Sequence, residues 1–256
     1  NPFIHSDNNK RYLTLAYHNR KIFGGRVYKA SLQLGCSCPN RDGKYSTCGC
    51  TFCSEEAPKE KAVFQQLINE AARIEKKCGD ARIMAYFQTG SNTYCEPDFL
   101  YSKCAEVLEY PFVVGLSIGT RADCITDRIA DMLYDLSSRT YLTVELGLQT
   151  IHDSTAKHIN RCHTYNDFLR GYRMLALRGI RICVHLINSL PGESPEMMIE
   201  SARELGKLSP GGVKIHMLNI LKGTKIADQY RFTPFPLLSR EEYVNIVVRQ
   251  LEFIPE

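Results

Sequence analysis

The 256-residue chain predicts an α/β fold, a partial (β/α)6 TIM-like barrel, on three observations. Six short apolar runs recur along it, stretches of helical period separate them, and polar motifs follow the runs. The runs at 27–34, 82–88, 112–118, 141–148, 180–187 and 213–221 are continuous and rich in β-branched and aromatic residues. That is the pattern of strands buried on both faces. After the first run, Val63, Phe64, Leu67, Ile68, Ala71 and Ile74 recur at three- and four-residue steps and predict a helix over 59–77. Similar patterns follow the next four runs at 98–108, 127–136, 165–177 and 195–208, the last opened by Ser194-Pro195, and a final one covers 240–253. Parallel strands joined by right-handed crossovers form either an open doubly wound sheet or a barrel, and six units fall short of the full eight. A curved, incomplete barrel is the expected form.

Length and 44% apolar content suit one domain over 1–256, with an N-terminal extension (1–26), six βα units (27–221) and a C-terminal helical segment (222–256). The eleven cysteines crowd into one loop and otherwise scatter singly, and no leader precedes them, so a reducing cytoplasmic setting is expected rather than a disulfide scaffold. No apolar run reaches membrane length. Net charge is +4, from 32 basic and 28 acidic side chains that are interspersed, so charge announces no nucleic-acid or lipid tail. Two local groups, Arg11, Arg20, Lys21 and Arg26, and Arg170, Arg173, Arg178 and Arg181, read as solvated faces or as phosphate contacts.

The loop after the first strand carries Cys38, Cys50 and Cys53 at C-x11-C-x2-C. Three thiolates hold three irons of a [4Fe-4S] cube and leave the fourth open to a small molecule. A zinc site drawn from Cys36, Cys38, Cys48, Cys50 and Cys53 is the competing reading, but the C-x-C pairs 36/38 and 48/50 are tighter than zinc ligands prefer. Cys36 and Cys48 are then spare thiols. In an incomplete barrel the groups after each strand converge. After the second strand stand Gln88, Thr89, Gly90, Ser91, Asn92, Thr93 and Tyr94, either a plain turn or a cluster-facing loop. Arg121 and Asp123 follow the third. Gln149 and Arg161 follow the fourth, a neutral hydrogen-bonding side chain and a forked cation.

Glu145, a carboxylate within an apolar strand, must meet water, a partner or substrate. His185, Lys214 and His216 alternate along strands five and six, some into the lumen, where each is either a satisfied structural group or a substrate contact. Leu190-Pro191-Gly192-Glu193 reads as a turn and helix start, and Lys222-Gly223-Thr224 as a turn or a closing loop.

CPNRDG with GCTFC, YFQTGSNTY, SIGTRADC, ELGLQT with INRCH, HLINSLPGE and HMLNILKGT together resemble the YhcC/YtqA-like radical S-adenosylmethionine (SAM) family, related to elongator-type tRNA-modifying enzymes. The resemblance covers nearly the whole chain. Cys48-Gly49 stands where the family has GG, Arg161-Cys162-His163 where it has RGH, and family members continue beyond Glu256. The resemblance implies a barrel of the radical SAM type, with Cys38, Cys50 and Cys53 ligating a [4Fe-4S] cluster whose open iron chelates SAM. It implies SAM contacts from Gln88, Thr89, Gly90 and Asn92, from Gln149 and Arg161, and from the backbone at Leu190. Phe52, between two ligands, shields the cluster, touches adenine or packs the loop. Arg121 and Asp123 stand where relatives place an acidic ribose ligand. The implied reaction is reductive cleavage of SAM to a 5'-deoxyadenosyl radical, fed by a donor such as flavodoxin or ferredoxin, with Glu145, His185, Lys214 and His216 near the reacting carbon. The implied substrate is the wobble uridine of tRNA, carboxymethylaminomethyluridine becoming aminomethyluridine. A small-molecule substrate, or a noncatalytic iron-sulfur or zinc module, are the competing classes.

Overall fold

Each apolar run forms a strand in the computed structural model, which describes residues 9–54, 62–79 and 81–255. The elements run α1 (Leu15–Phe23), β1 (Val27–Leu32), α2 (Val63–Cys78), β2 (Arg82–Phe87), α3 (Pro97–Leu108), β3 (Val113–Thr120), α4 (Asp127–Arg139), β4 (Tyr141–Gln149), α5 (Asp153–His158), α6 (Tyr165–Ala176), β5 (Arg181–Asn188), α7 (Pro195–Leu208), β6 (Gly212–Met217), α8 (Lys225–Phe232) and α9 (Arg240–Leu251). All six strands are parallel and lie in chain order, β1 to β6. That order decides between the two architectures, because a doubly wound sheet reverses direction at a switch point. Crossovers that always step the same way curl the sheet into an incomplete barrel.

Alternation along the strands separates two environments. Leu32, Ile83, Phe87, Leu116, Ile118, Val144, Leu146, Val184 and Leu186 point outward and pack with Leu67, Leu100, Leu133 and Phe168 of the surrounding helices into one core. Eleven of these thirteen side chains are fully buried and the other two nearly so, and a buried aliphatic or aromatic side chain contributes about 1.5–3 kcal/mol. The opposite face carries Lys29, Tyr86, Ser117, Glu145, Cys183, His185, Lys214 and His216. Polar side chains therefore fill the bore.

Sequence fixes the helix boundaries locally. Thr126, Thr164, Ser194, Thr224 and Ser239 accept a backbone N–H of the first turn of their helices, and Thr164 with Asp167 and Ser239 with Glu242 complete capping boxes. The helix expected over 59–77 starts at Val63; Lys59 lies outside the described residues, as do residues 1–8 of the N-terminal extension and Glu256.

Two helices, α1 and α5, lie outside the expected pattern, while α8 falls in the segment 222–256 expected to be helical. α1 closes the N-terminal end of the barrel: His18 hydrogen bonds the Tyr141 hydroxyl at 2.8 Å, and Phe23 meets the Tyr141 ring edge-on at 5.1 Å. α5 and α8 are short pieces on the opposite end. The sixth strand, expected over 213–221, stops at Met217. Leu218 N still bonds Asn188 O at 2.9 Å, but its side chain joins Ile159, Leu190 and Ile226 in a second small apolar cluster. Among the described residues no helix is long and apolar enough to cross a membrane.

Candidate active site

The cysteine loop lies across the C-terminal ends of the strands and is tied to most of them. Ser91 N, after β2, bonds Ser37 O at 3.1 Å; Thr51 N bonds Ile159 O at 3.0 Å; Ile226 N, at the start of α8, bonds Thr51 O at 2.9 Å. Asn40 and Asn160 lock it reciprocally: Asn40 Nδ2 donates to Asn160 O at 2.5 Å, and Asn160 Nδ2 donates to Gly49 O at 2.7 Å. Gly90, at φ +80°, packs so closely that a Cβ there would meet Cys36 O at 2.5 Å. Only glycine combines that backbone angle with that approach.

Cys50 is 4% exposed, and Cys38 and Cys53 are half-buried on the same loop. Asn40 Nδ2 and Arg161 Nη1 both point at Cys50 Sγ, at 3.5 and 3.7 Å. A hydrogen bond from Cys53 first, and the Arg161 charge with it, outweigh burial and hold the Cys50 thiol well below the usual cysteine range; Cys53, its donor, is pushed up. Cys36 packs into the main core and Cys48 is exposed beside Lys225, so the two spare thiols sit in different surroundings from Cys50. Among the described residues no three Cys, His, Asp or Glu side chains close around a single ion.

Gln149 owes its aim to an irregularity. The β4–β5 register shifts between Gly147 and Gln149, and Gln149 sits at φ +76°, a left-handed conformation costly for a side chain with a Cβ. Arg161 Nη2 donates to Gly147 O at 2.6 Å, and a Cβ at Gly147 would come within 2.8 Å of Gln149 Nε2 and 3.0 Å of Arg161 Nη2. Missing at Gly147 is the atom that would push both side chains away. Arg161 Nε and Gln149 Oε1 are buried without a partner, as is Arg121 Nη1. Buried donors and acceptors are normally satisfied, so these orphans fit a bound group that carries both acceptors and donors, beside a thiolate-bound cluster. The residues present fit a [4Fe-4S] cluster with a nucleotide cofactor.

The other expected contacts divide. Arg121 grips Asp123 through two hydrogen bonds of 2.9 Å, so both carboxylate oxygens of Asp123 are taken while Arg121 keeps its free Nη1. Asn92 spends its amide protons on Phe87 O (3.0 Å) and Gly119 O (2.8 Å), tying β2 to β3. Gln88 is exposed at the open rim and Thr89 half-buried beside it. Leu190 is buried in the second apolar cluster, with Phe52 packed against it, and its carbonyl accepts Glu193 N at 3.1 Å. Phe52, Gln149, His185 and His216 line a cavity of about 210 Å³.

Beneath that cavity the bore is organised around Glu145, which is 2% exposed. It accepts from Lys29, from Ser117 Oγ at 2.5 Å and from His185 Nε2 at 2.7 Å. Burial alone would push the Glu145 carboxyl up, but the His185 bond, the Lys29 charge and the Ser117 bond hold it well below the usual carboxylate range. The His216 ring lies 5.2 Å from His185; burial, then His185 and Lys214, lower its pKa to about 4, so it is neutral at physiological pH. Lys29, Tyr86 and Ser117 are residues that motif reading misses. The signal for them is alternation: each shares the bore face with Glu145.

Comparison with known proteins bears on the family and the fold. The Radical SAM superfamily model matches residues 35–205, and a Radical_SAM C-terminal domain model matches 210–256. The uncharacterized protein YtqA of Bacillus subtilis is 44% identical over 261 residues, covering 100% of this chain and 81% of its own. The tRNA uridine(34) acetyltransferase of Methanocaldococcus jannaschii is 26% identical over 146 residues, 56% of this chain and 26% of its own. The solved structure of the Methanocaldococcus infernus Elp3 with an N-terminal deletion superposes with a TM-score of 0.67 at 19% identity, over 90% of this chain and 54% of that one, and so shares its fold.

Proposed function

The chain belongs to the radical SAM superfamily, and from that footing we propose that it is a tRNA-modifying member, acting on the side arm of the wobble uridine and converting carboxymethylaminomethyluridine to aminomethyluridine. It is an enzyme whose cofactors are a [4Fe-4S] cluster and SAM. When bound, the pair supplies a 5'-deoxyadenosyl radical that abstracts hydrogen from an unactivated carbon. A one-electron donor such as flavodoxin or ferredoxin feeds it.

The observation that carries the reading is the Arg161 guanidinium, which touches Cys50 Sγ and Gly147 O at once, with Gln149 turned in beside it. In this reading Cys38, Cys50 and Cys53 hold the cluster. Arg161 presents its unpartnered Nε to the cofactor's carboxylate, and Gln149 offers its free Oε1 to the ribose. Gly90 lets the backbone after β2 approach the cysteine loop, Arg121 directs its free Nη1 toward the same side, and Phe52 walls the cavity from the loop. Asp123 and Asn92 act by positioning, the first through Arg121 and the second by fixing the β2–β3 rim.

Below them, Glu145 holds His185 in place rather than serving as a free base, because it is buried and accepts from Lys29, Ser117 and His185 at once. His185 and His216 then face substrate. A uridine splayed from an anticodon loop enters such a chamber, with the phosphates left outside. The 26% likeness to a tRNA uridine(34) acetyltransferase favours that substrate over a free small molecule. Nucleoside mass spectrometry of tRNA from a deletion strain tests it: carboxymethylaminomethyluridine should accumulate and aminomethyluridine should vanish. Unchanged wobble uridines would refute the substrate, while absence of 5'-deoxyadenosine from reconstituted protein given SAM and dithionite would refute the chemistry.

A further inference from the structure

Two lysines from opposite edges of the sheet converge on one ring in the bore. Lys29 Nζ, from β1, lies 4.3 Å from the Tyr86 centroid, and Lys214 Nζ, from β6, lies 5.7 Å from it. Two ammonium groups that share one ring are within about 10 Å of each other, and in a half-buried space such repulsion is poorly screened. Glu145 answers one of them, since it pairs with Lys29. Among the described residues Lys214 has no carboxylate partner, and Glu145 is already engaged by Lys29, Ser117 and His185. The side chains that line the cavity above, including His185, His216 and Asn219, add donors and no acid.

We propose that Lys214 is the anchor of an anion subsite at the floor of the bore, and that the substrate's reacting arm ends in a carboxylate. Lys214 supplies the charge that Glu145 leaves unanswered. His216, one step along the same face of β6, supplies a neutral hydrogen bond, and Tyr86 supplies the flat wall. A single unmatched cation suits a monoanion, which selects a carboxylate over a phosphate dianion. The placement also sets distance: Lys214 pairs in register with His185, whose ring lines the cavity, so an anchored arm extends upward past His185 toward Gln149. Lys214 is thus a specificity residue, selecting arms by their terminal charge. The inference rests on the bore being the substrate chamber, as read above, and not on the RNA to which the arm is attached.

The test uses reconstituted full-length protein with SAM, titrated anaerobically in a calorimeter with N-benzylglycine, benzylamine and benzylphosphonate. N-Benzylglycine carries an aromatic ring, an amine and a terminal carboxylate. It should bind at least tenfold more tightly than benzylamine and more tightly than benzylphosphonate. Lys214→Met should remove that preference, and Lys214→Arg should restore most of it, which separates loss of charge from loss of fold. The proposal is overturned if wild-type protein does not bind N-benzylglycine, if benzylamine or benzylphosphonate binds as well, or if Lys214→Met keeps the preference. Unchanged wobble uridines in the deletion strain would count against the tRNA substrate alone and leave these titrations to stand or fall by themselves.

Discussion

Arg161 and Cys50, 111 residues apart in sequence, meet at 3.7 Å, and the same guanidinium closes on the Gly147 carbonyl at 2.6 Å. One side chain therefore links the cysteine loop to the end of β4. Arg161→Ala should weaken SAM binding by tenfold or more while iron content stays near that of wild type, because Arg161 touches a proposed ligand without being one. Equilibrium dialysis with SAM and iron analysis on the same sample read the two effects separately.

Gly147 makes the complementary case. Its alanine variant places a methyl within 3 Å of both Gln149 and Arg161, and these must swing out. SAM affinity should fall nearly as far as in Arg161→Ala, with little added loss in the double variant, since both changes act on one contact. Full additivity in that cycle would show the contact to be irrelevant.

Thiol environment separates the cysteines. Cys50 is buried and faces two nitrogen donors, whereas Cys48 is exposed beside Lys225. Cys50→Ala should abolish cluster assembly on anaerobic reconstitution and Cys48→Ala should leave iron and absorbance close to wild type. Equal iron loss in both would reassign the ligands.

Gln250 of α9 is fully buried, exchanges two hydrogen bonds with Asn188 at the end of β5 (2.8 and 2.9 Å) and donates a third to Met198 O at 2.8 Å. Replacing it by leucine strands the Asn188 amide, while the Met198 carbonyl keeps its place in the α7 ladder. Unfolding free energy should drop by about 1–3 kcal/mol, the cost of leaving one buried polar group unpaired, as read from a urea melt.

His163 is buried with its Nε2 unpartnered, and burial first, then the Arg161 charge, lower its pKa from 6.5 to about 4. Protons therefore bind the unfolded chain before the folded one. Stability from this group is complete above pH 6.5 and is lost as pH falls toward 4, by about 3 kcal/mol across that window. His216 acts in the same direction. Urea midpoints measured from pH 7 to pH 4.5 should decline, and His163→Gln should flatten the decline.

The strands were readable in sequence because they rest on local patterns. Continuous apolar runs marked β1 to β5 to within two residues, and the cysteine loop follows β1 as its C-x11-C-x2-C spacing suggested, whereas Arg161 was singled out beside Gln149 only through the family resemblance. What escaped depends on distant partners. α1 has a weakly apolar face and is held by Tyr141, 123 residues from His18. Lys29, Tyr86 and Ser117 are scattered polar positions whose meaning appears only when four strands bring them to Glu145. Asn40 and Asn160 form their lock across 120 residues. Nor does a sequence announce that Gln149 turns left-handed; that follows from the slip in the β4–β5 ladder.

Among the described residues the sheet does not close, since β1 and β6 are not paired with each other. An eight-stranded barrel is a sealed cup that takes only what falls through its mouth. An unclosed ring of strands has two edges, and between them the substrate proposed above could insert one branch while the bulk stays in solvent.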